Sequence, residues 1–116
     1  MQILVVINDP GYGSERPYNA IRLAGTLARR EDTAVTVFLI GDAVGCAVRD
    51  QHVPTGYYDL ERMLGALVRH GGTIGCCGTC MDARGISDDR LLEGARRSSM
   101  EELADLTLGA DRILTF

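Results

Sequence analysis

Short apolar runs alternate along the chain with segments of helical periodicity, and this alternation restricts the possible folds more than any other feature. The runs are residues 2–7 (QILVVI), 33–40 (TAVTVFLI), 73–77 (TIGCC) and 111–116 (DRILTF). The first is a continuous stretch of apolar, mostly β-branched residues, as is typical of a central parallel strand. Strands that alternate with helices predict an α/β fold whose mostly parallel sheet is covered on both faces.

Helical periodicity is strongest over residues 57–70. Apolar side chains recur there at i, i+3, i+4, i+7 and i+8 from Leu60, and Gly71-Gly72 stops the pattern. Other helical segments are expected after an N-cap at Ser14, over residues 41–50 as a short helix or turn, over residues 87–93, and after a capping box of Ser99 and Glu102.

The charged residues exclude several classes of function. The net charge is −4, and all 12 basic residues are arginines, so a P-loop lysine, a Schiff-base lysine and a lysine general base are absent. An acidic chain with scattered arginines is not expected to bind nucleic acid.

We expect no membrane association, because no apolar run reaches about 18 residues. The first residues predict a strand rather than a signal peptide, and a cytoplasmic location follows as an expectation.

Three of the four cysteines stand in residues 75–86, GCCGTCMDARGI, directly after the third predicted strand. Ligands of parallel sheets bind at the carboxyl ends of strands, so this motif occupies the expected position of a site. A metal is not expected, because Cys77-x-x-Cys80 has no second pair of ligands and Cys76 and Cys77 point to opposite faces of a strand. We expect no cofactor either. A reversible Cys77–Cys80 disulfide of the oxidoreductase kind stays open.

Cys80 is the best candidate for a nucleophile in this motif. If the loop turns into a helix near Thr79, backbone amides and the helix dipole lower the pKa of the Cys80 thiol. Arg84 would stabilise an anionic sulfur, and Gly78 would let the backbone approach a substrate closely. Asp82 is expected to pair with Arg84 or with backbone amides, because a free carboxylate would raise the thiol pKa. Two cysteines are expected to be small buried side chains: Cys46 and Cys76.

Loops after the first two strands supply further candidate ligand-binding residues. Asn8, Gly13 and Ser14 belong to the first loop, which we expect beside the cysteine loop, and the helix start at Ser14 could hold a small anion. Asp42 follows the second strand and could either orient the thiol or cap the next short helix. Thr79 and Gly78 complete the predicted ligand-binding set.

The motif CCGTCMDARGI resembles the cysteine loop of the DsrE/DsrF-like sulfur-relay family. The resemblance extends to NDPGYGSERPYNAIRLAGTLA, VFLIGDAV, GYYDLERML and SSMEELADLTLGADRILTF, so it covers the whole chain as one domain, residues 1–116. It is nearest to the small single-domain YchN-like branch. It implies a Rossmann-like three-layer sandwich with a roughly five-stranded sheet, assembled into trimers or hexamers. In relay members the cysteine that matches Cys80 carries a persulfide to a partner protein, and Cys77 matches a second cysteine of the YchN-like branch.

Three functions remain open at this point. The first is a sulfur carrier or sulfurtransferase in which Cys80 accepts sulfur from a donor protein and passes it to an acceptor protein. The second is a non-catalytic oligomeric protein that binds a small anion. The third is a thiol-disulfide redox protein that uses Cys77 and Cys80.

Overall fold

Five parallel strands form a single sheet. The computed structural model describes residues 1–116, and its strands are β1 (Gln2–Ile7), β2 (Ala34–Leu39), β3 (Thr73–Cys77), β4 (Ala95–Ser98) and β5 (Arg112–Thr115). Its helices are α1 (Arg16–Ala28), α2 (Leu60–Arg69), α3 (Gly78–Ala83) and α4 (Met100–Gly109), with 3-10 turns at Gly41–Ala47 and Asp88–Arg90. None of these helices combines the length and the apolar character needed to cross a membrane.

The strand order β4-β3-β2-β1-β5 places helices on both faces of the sheet. The chain steps from β1 through β2 and β3 to β4 in one direction, so right-handed crossovers put α1, α2 and α3 on one face. The return from β4 to β5 runs the opposite way and puts α4 on the other face. The predicted α/β three-layer sandwich is confirmed, and all strand pairs are parallel.

The central strands carry the core that holds the cysteine motif in place. Val5 and Val37 lie in register on β1 and β2, and both are fully buried. Phe38 is also fully buried and lies level with Gly75 of β3. A Cβ on Gly75 would stand 3.3 Å from the Phe38 ring, so Gly75 makes room for that ring.

Two helices begin later than the sequence predicts. The Ser14 hydroxyl donates to Asp9 at 2.9 Å, and α1 starts at Arg16 with Glu15 as N-cap, so the predicted Ser14 cap is wrong. The predicted start at residue 57 is also wrong, because the side chain of Asp59 accepts the N–H of Arg62 at 3.0 Å and starts α2 at Leu60. A side-chain cap therefore sets the start of α2, whereas no side-chain hydrogen bond caps α1.

Residues 87–98 differ most from the prediction. The helix expected over 87–93 is only the turn Asp88–Arg90. Residues 95–98, ARRS, form β4 at the edge of the sheet. Two of these four residues are exposed arginines, so the strand has no apolar pattern by which the sequence could predict it. The cap that follows is confirmed, because Ser99 accepts the N–H of Glu102 at 3.2 Å.

Buried thiols should make the fold sensitive to alkaline pH. Burial raises the pKa of Cys46 to about 11 and the pKa of Cys76 to about 12, from an ordinary value of 9.0. Both thiols stay protonated in the folded chain but ionise in the unfolded chain above about pH 9. The free energy of unfolding should therefore fall by up to about 1.4 kcal/mol per pH unit for each thiol between its unfolded and folded pKa. Urea unfolding across this range measures the slope. A Cys46→Ala/Cys76→Ala chain should give a flatter profile, and an unchanged slope would contradict the assignment.

Candidate functional site

The cysteine motif ends β3 and opens α3. Cys77 is the last residue of β3 and the N-cap of α3, and Cys80 stands three residues later in the first turn. The predicted turn into a helix near Thr79 is confirmed, with the helix beginning at Gly78. Side chains at the N-cap and three residues on face each other, as in a capping box. Cys77 and Cys80 therefore share one side of the helix start.

The four thiols differ in their access to solvent. Cys46 and Cys76 are 0% exposed, as the sequence predicts, and Cys77 is 3% exposed. Cys80 is half-buried, and its Sγ accepts the backbone N–H of Gly41 at 3.2 Å. Cys80 is thus the thiol that a molecule in solution can reach, and it carries an amide donor.

Asp42 and Arg84 meet beside Cys80. The Arg84 guanidinium contacts the Asp42 carboxylate at 2.6 Å and donates to the Cys80 carbonyl oxygen at 3.0 Å. The pair joins the turn after β2 to the end of α3. An ion pair this exposed adds little stability, but it fixes a cation next to the reactive loop.

Gly78 and Thr79 support the start of α3. The Gly78 carbonyl accepts from Arg97 at 3.1 Å, and a Cβ on Gly78 would stand 3.0 Å from the Ser98 carbonyl oxygen. Gly78 therefore lets the loop pack against β4, a packing role beyond the expected approach to a substrate. The Thr79 hydroxyl lies 3.3 Å from the Cys77 Sγ.

Arg97 is a site-supporting residue that the sequence analysis missed. It contacts Asp82 at 3.1 Å and Asp88 at 2.7 Å, in addition to Gly78. The predicted Asp82–Arg84 pair is therefore wrong, since Asp82 pairs across to β4. No signal in the sequence separates Arg97 from the other arginines, because its role depends on the pairing of β3 with β4.

Cys77 and Cys80 titrate as an interacting pair. Burial raises the pKa of Cys77, but hydrogen bonds from the Thr79 hydroxyl, the Cys80 thiol and two backbone amides together bring it below 9.0. Burial and the same hydrogen bond to Cys77 raise the pKa of Cys80 above 9.0, against the opposite effects of the Gly41 N–H and Arg84. The lowered pKa predicted for Cys80 thus belongs to Cys77, chiefly because of the Thr79 hydroxyl and the Cys80 thiol beside its sulfur.

The first loop does not join this site through hydrogen bonds. β2 lies between β1 and β3, so the loop expected beside the cysteines is one strand away. Asn8 donates to the Phe116 carbonyl at 3.2 Å, and the Gly13 N–H donates to the Pro10 carbonyl at 3.2 Å. Ser14 bonds Asp9. The structure therefore brings Asp42, Gly78, Thr79 and Arg84 to the cysteines, and no hydrogen bond joins Asn8, Gly13 or Ser14 to them.

Comparison with known proteins agrees with this architecture. The family model described as the DsrE/DsrF-like family matches residues 1–116. The chain belongs to this DsrE/DsrF-like family. It is 39% identical over 116 residues to protein YchN of Escherichia coli K12, which covers 99% of this chain and 98% of YchN. The crystal structure of YchN from E. coli superposes with a TM-score of 0.93 at 40% identity, covering all of both chains. Sulfurtransferase TusD of Salmonella arizonae is 26% identical over 128 residues, with 100% of both chains covered.

This DsrE/DsrF-like chain also has an aromatic cavity that the sequence analysis did not identify. Tyr12, Tyr57 and Tyr58 line a space of about 570 Å³, together with His52 and Pro54. The Tyr12 and Tyr58 rings are stacked at 5.6 Å. His52 thus lies at this cavity and not at the cysteine site.

No group of three or more His, Cys, Asp or Glu side chains is arranged to hold a metal ion. All four cysteines are free. Beside the accessible sulfur of Cys80, the DsrE/DsrF-like chain places one backbone amide, that of Gly41, and one arginine, Arg84.

Removing the Cys77 thiol should make Cys80 more reactive. The Cys77 side chain raises the pKa of Cys80 through a hydrogen bond and through its charge, so Cys77→Ala should lower that pKa toward 9.0 or below. Alkylation by iodoacetamide, followed against pH, measures the change. The rise in rate should move to lower pH in Cys77→Ala, and a shift to higher pH would contradict the assignment. Cys76→Ala is the matched control, because its thiol is fully buried.

Proposed function

We propose that the protein is a sulfur carrier in which Cys80 accepts a sulfane sulfur as a persulfide and passes it to an acceptor thiol. The accessibility of Cys80, with the Gly41 N–H on its sulfur, is the observation that carries this proposal. Membership in the DsrE/DsrF-like family and the similarity to sulfurtransferase TusD support it.

The transfer consists of two successive exchanges at sulfur. The Cys80 thiolate attacks the outer sulfur of a donor persulfide, R–S–SH, giving Cys80–S–SH and the donor thiolate R–S⁻. An acceptor thiolate then attacks the outer sulfur of Cys80–S–SH and regenerates the Cys80 thiolate. The Gly41 amide and the Arg84 guanidinium stabilise the anionic sulfur in both states.

The rate of sulfur loading on Cys80 should increase as the pH rises, because the thiolate is the attacking form. Since that pKa is raised above 9.0, the thiolate fraction is small near neutral pH and grows as the pH rises. A weakly acidic thiol is also the more nucleophilic one once it ionises, so a raised pKa still permits transfer.

We propose that the carrier works as a homo-oligomer with separate donor and acceptor proteins in the cytoplasm. Apolar side chains on α4 and β5 lie open: Leu108 is 88% exposed, Met100 60% and Ile113 46%. Apolar surface of this kind is available for an interface between copies of the chain. Four free thiols suit a reducing compartment. Light scattering should give the mass of a trimer or a hexamer, and a monomer would contradict this assembly.

The redox alternative keeps one observation in its favour, since Cys77 and Cys80 interact at the start of α3. The anion-binding alternative drew on the glycine-rich loop together with the cysteine loop, and no hydrogen bond joins Asn8, Gly13 or Ser14 of the first loop to the cysteine loop. The carrier function therefore has the better support.

Intact mass spectrometry after exposure to a low-molecular-weight persulfide tests the proposal. The Cys77→Ala chain should gain one sulfur mass, and dithiothreitol should remove it. The matched Cys77→Ala/Cys80→Ser chain should gain none. Absence of added sulfur in the first chain, or equal gain in both, would overturn the carrier function.

A further inference from the structure

We propose that Cys77 resolves the Cys80 persulfide. Its thiolate attacks the inner sulfur of the persulfide, which releases hydrosulfide and leaves a Cys77–Cys80 disulfide. The protein would then have a second activity, the conversion of a sulfane sulfur into sulfide, whenever no acceptor thiol arrives. This inference rests on the proposed function, because the persulfide must first form on Cys80.

The placement of the two cysteines carries the inference. Cys77 at the N-cap and Cys80 three residues later occupy the two positions whose side chains reach each other in a capping box. Each thiol also shifts the pKa of the other, since Cys80 lowers that of Cys77 and Cys77 raises that of Cys80. Two cysteines in this arrangement at a strand-to-helix junction form disulfides in redox proteins.

Burial restricts the partners available to Cys77. Its residue is 3% exposed, so a molecule in solution has little access to this thiol. The Thr79 hydroxyl, 3.3 Å from the Cys77 Sγ, and the backbone amides of α3 hold the thiolate form. Cys77 is therefore a nucleophile prepared for one target, the sulfur on its neighbour.

The step balances without an added oxidant. Cys77–S⁻ attacks the Cys80 sulfur of Cys80–S–SH, the bond between the two persulfide sulfurs breaks, and HS⁻ leaves with that electron pair. The sulfane sulfur is reduced to sulfide while the two cysteine thiols are oxidised to a disulfide. A dithiol reductant is needed only to return the pair to thiols before another sulfur can load.

Groups beside Cys80 suit the departure of an anion. The Gly41 N–H points at the Cys80 sulfur, and the Arg84 guanidinium is anchored one turn away on the Cys80 carbonyl. They would stabilise the same charge whether the attacking thiol belongs to an acceptor or to Cys77. The acceptor and Cys77 therefore compete for one loaded sulfur, and access of the acceptor decides between transfer and release.

A single-turnover experiment with wild type, Cys77→Ala and Cys46→Ala tests the inference. Each reduced chain receives a substoichiometric low-molecular-weight persulfide, and donor thiol, sulfide and intact mass are followed with time. Wild type and Cys46→Ala should release donor thiol first and then one sulfide per disulfide formed. Cys77→Ala should release donor thiol and keep the added sulfur, with sulfide appearing about a hundredfold more slowly, because an intramolecular nucleophile has been removed.

The outcomes separate the two proposals. Retention of the sulfur by wild type as long as by Cys77→Ala would overturn the release step and leave the carrier intact. A disulfide without matching sulfide would also overturn it, since the oxidant would then lie elsewhere. If neither wild type nor Cys77→Ala released donor thiol, the carrier function itself would be overturned.

Discussion

Replacement of Cys80 by serine is expected to reduce sulfur uptake to the background rate. A serine hydroxyl fits the same space but supplies no thiolate, and the thiolate is the attacking species in sulfur exchange. The other three thiols cannot substitute, because Cys46, Cys76 and Cys77 are at most 3% exposed. The measurement is the rate at which donor thiol appears after mixing with a low-molecular-weight persulfide.

Cys46→Ser is the matched control for that loss. It removes a thiol of the same chain from a buried position, so the rate of donor thiol release should stay close to that of wild type. A Cys80→Ser chain that still consumes the donor as fast as this control would show that uptake uses another group.

Phe38→Ala should lower the free energy of unfolding by about 3–5 kcal/mol. Phe38 is fully buried in the central strand β2, and its ring fills the space that Gly75 leaves open on β3. The loss is a large part of the total for a domain of this size, which is about 5–15 kcal/mol. Urea unfolding followed by circular dichroism measures it.

Leu23→Ala is the control for Phe38→Ala, because it truncates an apolar side chain at the surface instead of in the core. Leu23 is 38% exposed on α1, so its truncation should cost clearly less than that of Phe38. Equal losses in the two variants would contradict the position of Phe38 at the centre of the core. Reduced chains should be used for both, so that disulfide formation does not obscure the comparison.

Much of the fold could be predicted because its central strands are continuously apolar. β1, β2 and β3 lie within one or two residues of the predicted runs 2–7, 33–40 and 73–77. β4 could not be predicted in this way, since Arg96 and Arg97 occupy an edge strand where neither face must be apolar. The edge strand nevertheless matters for the site, because Arg97 holds the start of α3.

Only those features of the site that depend on residues adjacent in the sequence could be predicted. The position of Cys77 and Cys80 at the end of a strand follows from the run TIGCC and the glycine after it. The contacts of Arg84 with Asp42 and of Cys80 with Gly41 join residues about forty positions apart, and they depend on β2 lying next to β3. Without the strand order, the loops of β1 and β2 were equal candidates, and the structure selects that of β2.

Which of the two thiols has the lower pKa could be decided only from the geometry of the helix start. Sequence reasoning assigned the amide donors of α3 to Cys80, which lies inside the first turn. The helix begins one residue earlier than Thr79, so Cys77 is the N-cap, and the Thr79 hydroxyl, the Cys80 thiol and then the backbone amides lower its pKa. The thiol with the lowered pKa is therefore the one at the N-cap, three positions before the accessible thiol.

The most direct test of the central claim is a peptide map of the sulfur-loaded Cys77→Ala chain. Trypsin separates residues 70–84, which hold Cys76 and Cys80 in this variant, from residues 31–49, which hold Cys46. After mild alkylation of the persulfide, the account predicts one added sulfur on the 70–84 peptide, located at Cys80 by fragmentation. Sulfur on Cys46 or Cys76, or on neither peptide, would contradict the assignment of Cys80 as the carrier thiol.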